Sequence, residues 1–81
     1  MNDRVEVLKI LAEILRKELN NAKLVVAEAS SANNVDGWDS INNLSIISEI
    51  ETRFNITFSI DVIFKLETVG DICDHIISNQ K

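Results

Sequence analysis

Gly37-Trp38-Asp39-Ser40-Ile41-Asn42-Asn43-Leu44-Ser45-Ile46-Ile47-Ser48-Glu49-Ile50-Glu51-Thr52-Arg53-Phe54 is the stretch that decides how this chain folds. The Asp39 carboxylate can accept hydrogen bonds from the first free N–H groups of a helix, and an N-cap of this kind contributes about 0.5–2 kcal/mol. Beyond it Ile46, Ile50 and Phe54 recur at every fourth residue with Ile47 alongside. That spacing predicts a helix with one buried stripe, running from the Asp39 cap to about residue 54, with Ile41 and Leu44 partly to one side of the stripe. Ser40 falls in the first turn, at an exposed corner.

Upstream, residues 21–38 carry a short apolar patch, Leu24-Val25-Val26, and then Ser30-Ser31-Ala32-Asn33-Asn34. They read as a long connecting loop. Loops of this length without regular structure are uncommon unless functional or pinned by buried anchors, and Leu24, Val26, Val35 and Trp38 are the candidate anchors. Further back, Val5, Leu8, Leu11, Leu15 and Leu19, with Ile10 and Ile14 beside them, recur at steps of three and four. They predict an amphipathic helix over 5–19 that stops at Asn20-Asn21, because Asn tolerates the left-handed conformation that ends helices.

Downstream, Ser59 is placed to cap a short helix over 60–65. Thr68-Val69-Gly70-Asp71 has the form of a capping box, and Val69, Ile72, Cys73, Ile76 and Ile77 follow at helical spacing. No strand pattern, repeat or low-complexity run interrupts this order. The expected fold is all-α: a four-helix bundle of three longer helices and one short one, with a long first loop. Residues 1–81 are expected to form a single domain.

Composition narrows the function. A chain of 81 residues buries only about 60–65% of the surface its unfolded form exposes, which leaves little wall for a deep two-substrate pocket. A carrying or binding role is favoured over catalysis. The net charge of −5 is uneven: residues 1–27 hold five basic and four acidic groups, and residues 28–81 hold three and nine. Nucleic-acid binders draw most of their affinity from cationic contacts to phosphate, so DNA and RNA are not expected partners. With one Cys and one His, no disulfide or Cys/His metal cluster can be built. No run is long and apolar enough to span a membrane and the N-terminus does not read as a signal peptide, so a cytoplasmic location is expected, with a monomer as the default.

The register Gly37-Trp38-Asp39-Ser40-Ile41, then Leu44, Ile47, Ile50-Glu51, Phe54, Phe58 and finally Thr68-Val69-Gly70-Asp71-Ile72, resembles the acyl carrier protein family. The family's hallmark is an Asp-Ser-Leu motif opening the second of four helices, and here it stands as Asp39-Ser40-Ile41. The resemblance covers most of the chain. It implies that Ser40 carries 4′-phosphopantetheine, attached covalently from coenzyme A by a Mg²⁺-dependent phosphopantetheinyl transferase, and that the arm's thiol holds acyl groups as thioesters. It implies no catalytic residue and no metal ligand. Ile41 and Leu44 would form the apolar part of a partner-recognition face and Glu49 and Glu51 its acidic part; core burial is the competing reading for Ile41 and Leu44.

Partners would be acyl-loading and acyl-processing enzymes such as ligases, ketosynthases or acyltransferases. Asn42, Ser45 and Thr52 stand where fatty-acid carriers commonly have acids, so the chain looks more similar to stand-alone carriers of polyketide or other specialised pathways. Two other readings stay open: an aminoacyl or peptidyl carrier of nonribosomal assembly, which usually reads Gly-Gly-x-Ser before the helix, and a helical adaptor in which Ser40 is unmodified. An apolar seam of Ile47, Val62, Phe64, Val69 and Ile72 reads as core that could also shelter an acyl chain. Cys73 reads as a small buried hydrophobe, and His75 as a solvated surface residue.

Overall fold

Asp3 accepts a 2.9 Å hydrogen bond from the Glu6 N–H and so starts α1, Arg4–Glu18. The computed structural model describes residues 3–79, and three further helices follow: α2, Ser40–Phe54; α3, Ile60–Lys65; and α4, Val69–Asn79. Among the described residues there is no strand, only one isolated antiparallel bridge between Ser31 and Thr68. α1 is the common support, with α2 and α4 both packed on it. This is the expected all-α fold, with α2, α3 and α4 starting where their caps placed them and α1 starting one residue before its expected bound, on a cap that the sequence reading did not name.

The stripe of α1 is rotated from its expected register. Val7, Leu11, Ile14 and Leu15 form the buried face, whereas Val5 is 75% exposed and Leu8 and Leu19 are only half-buried. Residues two apart lie about 200° apart on a helix, so a face centred on Val7 turns Val5 to solvent. α1 ends as expected, with Asn20 at φ +53.

The long loop is pinned rather than free. Val35 and Trp38 are buried, and Leu24 and Val26 pack on the core at half burial. Two polar anchors escaped the sequence reading: Ser30 and Ser31 are both buried. The Ser30 hydroxyl accepts from the Ala27 N–H at 2.9 Å, and the Ser31 hydroxyl from Asn33 at 3.2 Å. The backbone then ties the loop to α4, Val69 N–H donating to the Ser30 carbonyl and Gly70 N–H to that of Glu28, each at 2.9 Å. Arg4 closes the same corner by ion pairs to Glu28 and Asp74; these contacts, Glu28 first, raise the guanidinium pKa and lower that of Glu28.

Both later caps form. Ser59 accepts from Val62 N–H at 3.3 Å. At the start of α4 the Asp71 N–H donates to Thr68 Oγ1 at 3.1 Å while Asp71 Oδ2 accepts from Thr68 N–H, also at 3.1 Å. α3 buries none of its residues fully; Val62 and Ile63 lean on the core, while Ile60 and Phe64 face outward. The expected seam is thereby corrected. Ile47, Val69 and Ile72 are core, but Phe64 is 82% exposed and takes no part in it. A six-residue helix has room for one inward face only, and Val62 and Ile63 occupy it.

Candidate functional site

The turn before α2 is built from four residues that each do something different. Gly37 sits at φ +86 with open space where a Cβ would be, so backbone conformation, not crowding, requires glycine there. Trp38 is buried and its indole N–H donates to Asn43 Oδ1 at 3.0 Å. The Asn42 side-chain amide donates to the Gly37 carbonyl. Asp39 is the N-cap, its carboxylate accepting from Ile41 N–H at 3.0 Å and Asn42 N–H at 2.8 Å.

Ser40 is the first residue of α2 and is exposed. Its hydroxyl has no hydrogen-bond partner among the described residues. Asp39 already takes two of the N–H groups at this helix start, so the favourable field of the helix end is shared with the cap and is not reserved for an added phosphate. The Asp39 carboxylate, committed to these N–H groups, is no ready base for Ser40. A nucleophilic reaction of the hydroxyl therefore needs activation from another protein.

Beside Ser40 opens a groove between α2 and α3, about 520 Å³, lined by Ser40, Asn43, Leu44, Ile60, Ile63 and Phe64. It replaces the expected seam as the apolar recess nearest the serine. Ile60 and Phe64 are four apart on one face of α3, a signal present in the sequence. Ile63, which joins them, is offset, so only the packing of α3 against α2 assembles the wall. Ile41 and Leu44 are 77% and 64% exposed, which sets aside the core reading for both and leaves them on the surface around Ser40.

The expected acidic part of this surface is already engaged. Glu49 is half-buried and pairs with Lys17 of α1 at 3.4 Å. Glu51 Oε2 accepts the Phe58 N–H at 2.8 Å, fastening the loop after α2. Thr52 donates back to the Ser48 carbonyl at 3.1 Å, while Ser45 is exposed.

His75 departs from its expected solvated position: it is half-buried and stacks on Phe58 with ring centroids 4.8 Å apart. Cys73 is fully buried, and burial pushes its thiol pKa up, so it is no nucleophile at neutral pH. Among the described residues no group of three or more His, Cys, Asp or Glu side chains could hold a metal ion. No helix among them is long and apolar enough to cross a membrane.

The site is thus an unengaged primary hydroxyl on a capped corner, with an apolar groove beside it. Residues 5–76 match the family described as phosphopantetheine attachment site. The chain is 34% identical over 77 residues to an acyl carrier protein of Porphyromonas gingivalis, covering 94% of this chain and 97% of the relative. It is 38% identical over 68 residues to an acyl carrier protein of Karelsulcia muelleri, covering 84% and 81%. Its structure superposes on the solution structure of a holo acyl carrier protein from Geobacter metallireducens with a TM-score of 0.82, at 30% identity, over 89% of this chain and 83% of that one. The chain belongs to the acyl carrier protein family, whose members are carriers rather than enzymes and bear a covalently attached 4′-phosphopantetheine.

Proposed function

We propose that Ser40 is the attachment point and that the protein tethers acyl intermediates for fatty-acid, polyketide or related secondary-metabolite biosynthesis. The observation that carries this reading is the exposed, unengaged Ser40 hydroxyl on the Asp39-capped first turn of α2, beside an apolar groove. When attached, the arm supplies a thiol that holds acyl groups as thioesters. The chain's own contribution is address and delivery. Asp39 fixes the helix start, Ser40 offers the nucleophilic oxygen, and Ile41 and Leu44 give a visiting enzyme apolar surface to cover.

Two kinds of partner follow from this reading: the phosphopantetheinyl transferase, and the enzymes that load and process acyl groups. Electrostatics supports a partner set other than that of a strongly acidic carrier. Glu49 and Glu51 are turned to Lys17 and to the Phe58 amide, and Asn42, Ser45 and Thr52 carry no charge. A basic enzyme surface thus gains less steering from α2, and apolar contact carries more of the recognition. This favours enzymes of a specialised pathway.

The test is direct. Purified protein is incubated with coenzyme A, Mg²⁺ and a broad-specificity phosphopantetheinyl transferase, and its intact mass is recorded. Addition of one phosphopantetheine to the wild type and none to Ser40→Ala is expected. No addition to the wild type would sink the carrier reading, and addition persisting in Ser40→Ala would move the site elsewhere.

A further inference from the structure

We infer that Asn42 and Asn43 are positioning residues for the modification of Ser40, acting through two hydrogen bonds that clasp the Gly37-Trp38 turn onto the first turn of α2. The inference rests on the proposed attachment at Ser40. Asn43 Oδ1 accepts from the Trp38 indole at 3.0 Å, and the Asn42 amide donates to the Gly37 carbonyl. Both bonds span five residues and straddle Asp39 and Ser40.

Chemistry dictates which end of each amide is used. An indole N–H can only donate, so Asn43 must present its oxygen; a backbone carbonyl can only accept, so Asn42 must present its nitrogen. A carboxylate at position 42 has no proton to donate to Gly37. Asn42 is therefore not merely an acid missing from a partner-facing surface. The turn requires an amide at 42, for its proton, and an acceptor oxygen at 43.

The turn has few other supports. Gly37 meets nothing within 4 Å of where a Cβ would stand, and Asp36, Asp39 and Ser40 are all exposed. From Asp36 to Ser40 only Trp38 is sunk into the core, at 5% exposure, with its backbone N–H on the carbonyl of buried Val35. Burial fixes the indole, and Asn43 then converts that fixed point into a fixed orientation of the α2 start. Without the clasp the segment samples other conformations around the φ +86 glycine, and only a fraction presents Ser40 correctly.

A transferase that engages only that fraction shows an apparent affinity reduced by it, with the chemical step unchanged. The net worth of one such hydrogen bond corresponds to about a five-fold change in the equilibrium. Asn43→Leu and Trp38→Phe should each raise the transferase's KM for this protein by up to about five-fold, with kcat unaltered. Because both remove the same bond, the double variant should raise KM no further than the single ones do, rather than multiply their effects. Asn42→Leu should raise KM similarly, and Asn43→Asp, which keeps an acceptor for the indole, should restore it.

The experiment measures KM and kcat for phosphopantetheine transfer to each variant by intact mass, well below its melting temperature. Trp38, the single tryptophan, reports the clasp by its emission, which should shift to shorter wavelength in Asn43→Leu, where the still-buried indole loses its polar acceptor, and not in Asn43→Asp. Ile76→Val, a core change remote from the turn, serves as a control for lost stability and should leave KM unchanged. Wild-type KM in Asn42→Leu and Asn43→Leu, or multiplying effects in the Trp38/Asn43 double variant, would overturn the inference while leaving Ser40 in place. A wild type that takes up no arm would overturn the attachment itself, and the positioning role with it.

Discussion

Glu51→Ala separates two roles for one carboxylate, and the structure sets the size of the effect. Glu51 Oε2 accepts the Phe58 N–H at 2.8 Å, Phe58 is buried, and His75 stacks on its ring. Removing the carboxylate leaves a part-buried amide without its acceptor. Hydrogen bonds to charged groups are worth about 1.5–3 kcal/mol, and the half-exposed setting of Glu51 places this one near the lower end, about 1.5 kcal/mol. A chain of 81 residues has a total unfolding free energy of about 4–12 kcal/mol, so this is a sizeable fraction.

At about 4–8 °C per kcal/mol for a domain of this size, Glu51→Ala should melt about 6–12 °C below the wild type. Glu51→Gln keeps a carbonyl oxygen for Phe58 and should lose less than half of that. Thermal unfolding followed by circular dichroism measures both. If Glu51→Ala melts with the wild type yet slows transfer to an acyl-processing enzyme, the carboxylate serves a partner and the structural assignment is wrong.

Ile50 is fully buried and Ile41 is exposed on the same helix. Ile50→Ala should therefore destabilise by about 2–5 kcal/mol in urea unfolding, while Ile41→Ala stays within about 0.5 kcal/mol. Asp71 is held below the ordinary carboxylate range by the N–H groups of Glu67 and Thr68, and Glu28 by Arg4. Both folded pKa values are depressed, so their stabilisation is present in full above the unfolded values, near about pH 4, and is lost as pH falls through the folded ones. Acid unfolding followed by ellipticity should accordingly shift to higher pH when Glu28 is replaced by Gln. The Cys73 thiol, buried and raised in pKa, should react with a thiol-specific disulfide reagent at pH 8 only as fast as the protein unfolds; immediate stoichiometric reaction of the folded protein would refute its burial.

The caps and the helix order were legible because their signals are local. Asp39, Ser59 and the Thr68/Asp71 pair each satisfy N–H groups within four residues of themselves, and a sequence displays such neighbours directly. The stripe of α2 was legible for the same reason. The stripe of α1 was only half so. Two apolar series overlap there, and packing against α2 and α4 selected the one through Val7 over the one through Val5. Ser30 and Ser31 are not legible as anchors of the loop because nothing nearby in the sequence announces that α4 will donate to it.

For the site, the chain order of Gly37, Trp38, Asp39 and Ser40 was enough to mark the candidate hydroxyl and its cap, and Ile41 and Leu44 were marked as near it. Whether those two were core or surface was open until the helix was packed. The groove wall of Ile60, Ile63 and Phe64 comes from a helix some twenty residues away, so Phe64 borders the serine and not the expected seam with Ile47, Val69 and Ile72. Glu49 and Glu51 read as free acids, yet each faces a partner supplied by another segment, Lys17 of α1 and the Phe58 amide. Spacing along one helix fixes which residues share a face, and so the sequence alone determined four helices, their starts and the corner that holds Ser40. Which face turns inward, which acids are engaged and what borders the serine depend on contacts between distant segments, and only the tertiary structure decided them.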